Sequence, residues 1–356
     1  MKALVLSGGK GTRIRPLANT TTKQLLPVAN RPILFYIMDM VEEAGIVDVG
    51  LIVSAEWGNH VEQAVGDGSK WNTRVTYIQQ PEPAGIAHAV KTARDFLKTS
   101  PFLMFLGDNV YKYDIKDSLA YFHKHSPAAL LLLKEVDKPS NFGIAELDKD
   151  GKVMAVSEKP KEPRSNLALA GAYLFSPAVH QAIDNIKPSW RGELEITDAL
   201  QELIDEGKDV HGSILDGWWL DTGDKDDLLK ANRAVLDEYL KPDIQGRVEA
   251  GSQLMGKNEV GRGTVIKNST VHGPSSIAEN CLIRDSSVGP YACIGPDSIV
   301  ERSSMENSIV LEGCRIQGIR HLKDSLLGKG AEVIRTTGKN GIIRLHVGDI
   351  AKVEIL

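Results

Sequence analysis

Residues 1–17, MKALVLSGGKGTRIRPL, decide how the chain is read. Ala3 to Leu6 is an unbroken apolar run of strand length that empties into Ser7-Gly8-Gly9-Lys10-Gly11-Thr12-Arg13. Glycines after a buried strand let main-chain N–H groups surround an anion, because no Cβ blocks the approach and positive φ is open to them. Gly8, Gly9 and Gly11 suit that use, with Arg13 as a planar donor for phosphate oxygens and Lys23 as a second cation. The pattern is neither the Walker loop nor the dinucleotide fingerprint, since Pro16 and the polar run Asn19 to Thr22 delay the next helix to about Ile33. A tight turn is the competing reading of the glycines taken alone.

Downstream, short apolar runs alternate with longer amphipathic ones. Val49 to Val53, Val75 to Ile78 and Phe102 to Leu106 read as strands; Ile33 to Glu43, Asn59 to Val65 and Ile86 to Leu97 read as helices. That βαβα rhythm implies an α/β domain with a mixed, mostly parallel sheet covered on both faces. A mixed region follows, with strands expected at Ala128 to Lys134, Ile144 to Leu147 and Ala170 to Phe175, and helices at Thr197 to Glu206 and Lys225 to Leu240. Pro242 stops the last helix and marks a boundary, giving domains 1–240 and 241–356.

Beyond Pro242 aromatics nearly vanish and an aliphatic residue returns about every sixth position. Leu254, Val260 and Ile266 keep that step, as do Val271, Ile277 and Ile283, then Val288, Ile294 and Val300, and again Val310, Ile316 and Leu322. One inward aliphatic per repeat describes a β-helix, whose stacked coils bury what a single repeat cannot. A glycine-rich β-sandwich is the alternative, and shortened steps at Ile266 to Val271 and Ile283 to Val288 show that the repeat is imperfect.

Composition narrows the classes of function. The 356 residues are 42% hydrophobic, enough for two cores, and 42 basic against 47 acidic residues leave a net charge of −5. That balance carries no electrostatic footprint for nucleic acid or an anionic membrane, and no apolar run approaches the length of a membrane span. A cytoplasmic protein is expected. Cys281, Cys293 and Cys314 form neither a CxxC pair nor an even set, so they read as small packing residues. The nine histidines show no HExxH motif.

Two acidic positions stand out. Asp108 follows the apolar run Phe102 to Leu106, at the carboxyl end of a strand where open α/β sheets place ligands, and Asp221 follows Trp218-Trp219-Leu220. A helix cap or a turn is the competing role for Asp108, and a helix cap that for Asp221. Two carboxylates distant in sequence can share one Mg²⁺, which takes one or two protein carboxylates plus phosphates and water, and that is phosphoryl or nucleotidyl transfer chemistry.

In series, GGKGTRIRPL, TKQLLPV, QQPEPAGIAHAV, FLGDNVY, SEKP, GAYLF, RGELEITD and WLDTGD resemble the sugar nucleotidyltransferases, and among them the glucose-1-phosphate thymidylyltransferases, over about residues 1–240. The repeat behind them resembles the left-handed parallel β-helix of the family's long members. The resemblance implies a Rossmann-like nucleotidyltransferase domain and attack of glucose-1-phosphate on the α-phosphorus of dTTP, with Mg²⁺ and no protein nucleophile. It places Gly8, Gly9, Gly11, Thr12, Arg13, Lys23, Gln24, Gln80, Pro83 and Gly85 on the nucleotide, with Gln24 and Gln80 at the thymine edge. Arg13 and Lys23 would stabilise the phosphates, and Asp108 and Asp221 would hold the metal. Gly143, Glu158, Lys159, Gly171, Tyr173 and Thr197 would bind the sugar phosphate, although Tyr173 also fits a core position. His88 stands where family members often carry glutamine.

Two other activities stay in view. One is a uridylyltransferase preferring UTP, which differs from dTTP by a methyl and a 2′-hydroxyl. The other adds acetyl transfer on the β-helix, for which His272, His321 and His346 are the available bases. The β-helix is otherwise expected to support homo-oligomer assembly or regulation.

Overall fold

The computed structural model describes residues 1–9, 14–17, 21–335, 345–349 and 351–355. They fall into two compact units, Met1–Lys10 with Leu34–Trp219 and Gly11–Ile33 with Leu220–Leu356.

The first unit is built on a nine-stranded sheet. Lys2–Ser7 lies between Asp48–Ser54 and Phe102–Leu106, parallel to both, and Asp48–Ser54 carries Arg74–Gln80 as the outer parallel strand. Ala3, Leu4 and Val5 have no exposed surface, as their unbroken apolar run requires of a strand covered on both faces. Leu167–Phe175 pairs antiparallel with Phe102–Leu106 and with Ala129–Glu135, so the parallel half passes into a mixed half. Gly143–Leu147 and Val153–Glu158 extend that half, and Val210–Ile214 adds a parallel partner for Ala129–Glu135. The expected helix Ile86 to Leu97 breaks into Ile86–Thr92 and Arg94–Leu97. Its inner residues Ala87, Ala89 and Val90 join one core with Leu4, Phe102, Met104 and Leu200.

In the second unit, the chain beyond the helix Lys225–Tyr239 winds into a left-handed parallel β-helix of three sheets, each a stack of short strands. Val260, Ile277, Ile294, Val310 and Leu327 stack on one sheet, Ile266, Ile283, Val300, Ile316 and Val333 on a second, and Val271, Val288, Met305 and Leu322 on the third. All are buried and form one core. The β-sandwich alternative falls, because every ladder in these sheets is parallel and joins successive coils.

The coil length explains the shortened steps: equivalent corner residues such as Ser269 and Ser286 are 17 apart, so three six-residue sides cannot all be complete. Corners are closed by side chains. Ser269 Oγ accepts from Ser286 N–H at 3.0 Å, Ser286 Oγ from Ser303 N–H at 3.2 Å and Ser303 Oγ from Ile319 N–H at 3.0 Å. Thr264 and Ser298 serve Cys281 and Cys314 in the same way on another corner. The three cysteines are free and buried, and burial pushes the Cys281 thiol up to about 11 and those of Cys293 and Cys314 to about 12.

Candidate active site

The first strand delivers Ser7 and Gly8 to its carboxyl end. Ser7 is 1% exposed, and among the described residues its Oγ has no hydrogen-bond partner. Gly8 faces the end of the strand Arg74–Gln80: a Cβ there would lie 3.1 Å from Gln80 Oε1. Gln80 is buried, and its Nε2 lies 2.9 Å from His88 Nδ1 and donates to Gly85 O at 3.4 Å. The Gly85 carbonyl can only accept, so Nε2 must face it, His88 Nδ1 accepts in turn, and Oε1 is left toward Gly8. Gly9 follows Gly8 among the described residues, while Gly11, Thr12 and Arg13 of the expected phosphate loop lie outside them.

Gly85 begins the helix Ile86–Thr92 at φ 107°, and a Cβ would stand 2.3 Å from Leu194 O. The space a side chain would need is taken by the Leu194 main chain, which also binds this loop through Leu194 N–H to Ala84 O and Ala87 N–H to Leu194 O. The 84–87 loop, with Pro83 just before it, is thereby tied to the segment Ser189–Glu195.

That segment belongs to a second cluster. Arg191 bridges Glu158, Glu193 and Glu195, its Nε lying 3.3 Å from Glu195 Oε1, while Glu195 also accepts from Ser189 Oγ at 2.9 Å. Burial opposes the charge on Arg191, but Glu193, Glu195 and Glu158 outweigh it and hold the guanidinium still more firmly protonated. Burial pushes the Glu195 carboxyl upward against Ser189 and Arg191. Gly143 packs into the same group: a Cβ would meet Thr197 Cγ2 at 2.9 Å and Glu158 Oε2 at 3.2 Å. Thr197 Oγ1 donates to Glu158 Oε2 at 3.4 Å, and Lys159 Nζ stands 3.7 Å from Glu158 Oε1. Gly143, Glu158, Lys159 and Thr197 therefore come together, as Arg191 does, which sequence reasoning quoted within RGELEITD without assigning.

Tyr173 sits in the hydrophobic core, stacked on Phe175 at 5.7 Å between ring centres, and burial, then Glu158, pushes its phenol upward. Gly171, at φ 73°, lets Asn109 approach: a Cβ would lie 2.9 Å from Asn109 Nδ2. Asn109 donates to Asp108 Oδ1 at 3.4 Å and accepts from Trp219 Nε1 at 2.8 Å, so it braces Asp108 at the strand end. The sequence gives Asn109 no role because the partner that orients it, Trp219, lies 110 residues away.

In the second unit, Thr22, Lys23 and Gln24 are buried around the short turn Lys23–Leu25. Thr22 Oγ1 donates to Gln24 Oε1, and Lys23 Nζ lies 3.4 Å from Asp221 Oδ1 with only 7% of its side chain exposed. Asp224, not Asp221, caps the helix Lys225–Tyr239 by accepting from Asp227 N–H at 3.0 Å, which removes the cap reading of Asp221.

The nucleotidyl transferase family model matches residues 2–238. Over its full length the chain is 46% identical to glucose-1-phosphate thymidylyltransferases of Streptomyces griseus and Streptomyces antibioticus, covering 99% of each. A crystal structure assigned as a glucose-1-phosphate thymidylyltransferase from Bacillus anthracis, in complex with sucrose, is 35% identical and superposes with a TM-score of 0.62 over 66% of this chain and 94% of that one. The chain belongs to the nucleotidyl transferase family, as the motifs on its strand ends implied.

Proposed function

We propose that the protein transfers the thymidylyl group of dTTP to glucose-1-phosphate. An oxygen of the sugar phosphate forms a bond to the α-phosphorus, the bond to the β,γ-phosphates breaks, and dTDP-glucose and pyrophosphate leave. The observation that carries the base assignment is the Gln80 amide, buried beside Gly8 and turned by Gly85 and His88 so that Oε1 accepts. A thymine ring offers an N3–H to such an acceptor; a cytosine ring does not. The Streptomyces relatives carry the same substrate in their names.

The sites follow the same reading. Gly8, Gly9, Gly11 and Thr12 would line the triphosphate with Arg13 and Lys23, and Gln24, Gln80, Pro83 and Gly85 the base. Lys23, resting against Asp221, can exchange that carboxylate for phosphate oxygens when the nucleotide arrives. Gly143, Glu158, Lys159, Gly171, Tyr173 and Thr197 would take the sugar phosphate, with Arg191 as an added cation beside Glu158.

Sugar nucleotidyltransferases generally use a divalent metal, and we assign Mg²⁺ to Asp108 and Asp221. Both offer hard carboxylate oxygens, which suit an ion that takes few protein ligands and completes its shell with phosphates and water. Such an ion would screen the triphosphate charge. The enzyme is read as cytoplasmic and homo-oligomeric, acting without nucleic acid or membrane; no helix among the described residues is long and apolar enough to cross a membrane. We assign residues 1–240 to catalysis and 241–356 to the β-helix domain.

The test is pyrophosphate release by Asp108→Asn and Asp221→Asn. Each should lose roughly 100-fold in turnover with its circular dichroism unchanged. A near-normal rate in either removes that residue from the metal site.

A further inference from the structure

We propose that the β-helix sets the position of the nucleotide-binding segment through Asn30, which makes Asn30 a positioning residue for dTTP. This rests on the reading above that Lys23 and Gln24 hold the nucleotide.

The chain after Leu26 folds into a small hairpin. Pro27–Val28 and Arg31–Pro32 pair antiparallel, with Val28 opposite Arg31. The two residues at its tip, Ala29 at φ 50° and Asn30 at φ 57°, both lie in the left-handed region, as a two-residue turn of this kind demands. Asparagine tolerates that conformation; alanine pays a steric cost there, so the tip must be held by something outside itself.

It is held from two sides within its own unit. Ala29 N–H donates to Asn232 Oδ1 at 2.9 Å, and Asn232, on the helix Lys225–Tyr239, has no exposed surface. Asn232 in turn reaches the β-helix, donating to Tyr291 O at 3.3 Å and accepting from the Cys293 thiol at 3.0 Å. Asn30 Nδ2 reaches the coils directly, its two N–H groups shared among Ser276 O at 3.0 Å, Ser276 Oγ at 2.8 Å and Ile294 O at 3.2 Å. The Ser276 hydroxyl hydrogen is directed to Glu259 Oε2 at 2.7 Å, which leaves its lone pairs to accept from Asn30.

At its other end the hairpin is continuous with the nucleotide residues. Ile33 N–H donates to Leu26 O at 3.1 Å, and Leu26 N–H donates to Lys23 O at 3.0 Å. Lys23 and Gln24 thus occupy a single turn fastened to a hairpin whose tip is fastened to two successive coils. A shift of the tip has no slack in which to dissipate before it reaches them.

The test compares Asn30→Gly, which keeps the left-handed turn and removes all three side-chain bonds, with Asn30→Asp, which keeps the shape but points an acceptor at three acceptors. Ser276→Ala, on the β-helix side, removes one acceptor and serves if either Asn30 variant fails to fold. Steady-state kinetics should show kcat/KM for dTTP falling about tenfold in the Asn30 variants and about threefold in Ser276→Ala, with the KM for glucose-1-phosphate unchanged. Unchanged dTTP kinetics in folded variants, or equal shifts for both substrates, would overturn the proposal. Wild-type protein without dTTP turnover would overturn the functional reading beneath it as well, so the two failures are told apart.

Discussion

The direction of one amide makes a quantitative test of how the base is chosen. Gln80 Nε2 has two acceptors, His88 Nδ1 at 2.9 Å and Gly85 O at 3.4 Å, and the second lies near the limit of a hydrogen bond. His88→Leu fills a similar volume and removes the better acceptor. A hydrogen bond of this kind is worth about 1 kcal/mol net, and 1.4 kcal/mol is tenfold, so the preference for presenting Oε1 should weaken about fivefold. The turned amide presents N–H groups, which suit the N3 acceptor of cytosine and oppose the N3–H of thymine. Initial rates of pyrophosphate release with dTTP and with dCTP, at saturating glucose-1-phosphate, give the ratio of kcat/KM values. That ratio should fall about fivefold in His88→Leu and recover in His88→Gln, whose amide oxygen can accept again. A ratio within about twofold of wild type in folded His88→Leu would refute the role given to His88, and with it the fixed direction of Gln80.

Other outcomes follow from the packing and the charges. Thr264→Val deletes a donor to Ala278 O at 2.6 Å and an acceptor for Cys281 N–H at 2.9 Å; urea unfolding should show a loss of about 2–4 kcal/mol, because two buried main-chain groups lose a partner. Burial, then Arg94, holds His180 below its ordinary 6.5. Its neutral form is therefore favoured in the fold: the stabilisation is full above 6.5 and is lost as pH falls below it, and His180→Phe should flatten the fall in melting temperature between neutral and mildly acidic pH. Iodoacetamide should leave Cys281, Cys293 and Cys314 unmodified in the native protein and label all three in denaturant, as intact-mass measurement would show.

Much of this was legible because the deciding side chains act locally. The run Ala3 to Leu6 reads as a doubly covered strand, and the inward aliphatics of the β-helix repeat within each coil. The irregular steps in that repeat were visible as well, but their cause, a coil closed by serine side chains 17 residues apart, exists only once the coils stack. Val153–Glu158 went unread because its burial does not alternate and its register shifts near Val153, and Val210–Ile214 because histidine, glycine and serine dilute its apolar signal. The hairpin at Ala29-Asn30 lacks the usual Asn-Gly; tertiary bonds from Asn232, Ser276 and Ile294 impose it instead. In the candidate site, motifs single out Gln80 and Glu158, whereas the Trp219–Asn109 bond and the orientation that His88 gives Gln80 appear only in the fold.

Competition among nucleotides decides whether the enzyme transfers a thymidylyl group to glucose-1-phosphate. Purified protein would be given Mg²⁺, glucose-1-phosphate and equimolar dTTP, UTP, GTP, ATP and CTP, and the nucleotide sugars formed would be separated and weighed by mass spectrometry. dTDP-glucose should be the main product, with UDP-glucose a minor one. A different nucleotide sugar in the majority, or none despite intact folded protein, would contradict that reading.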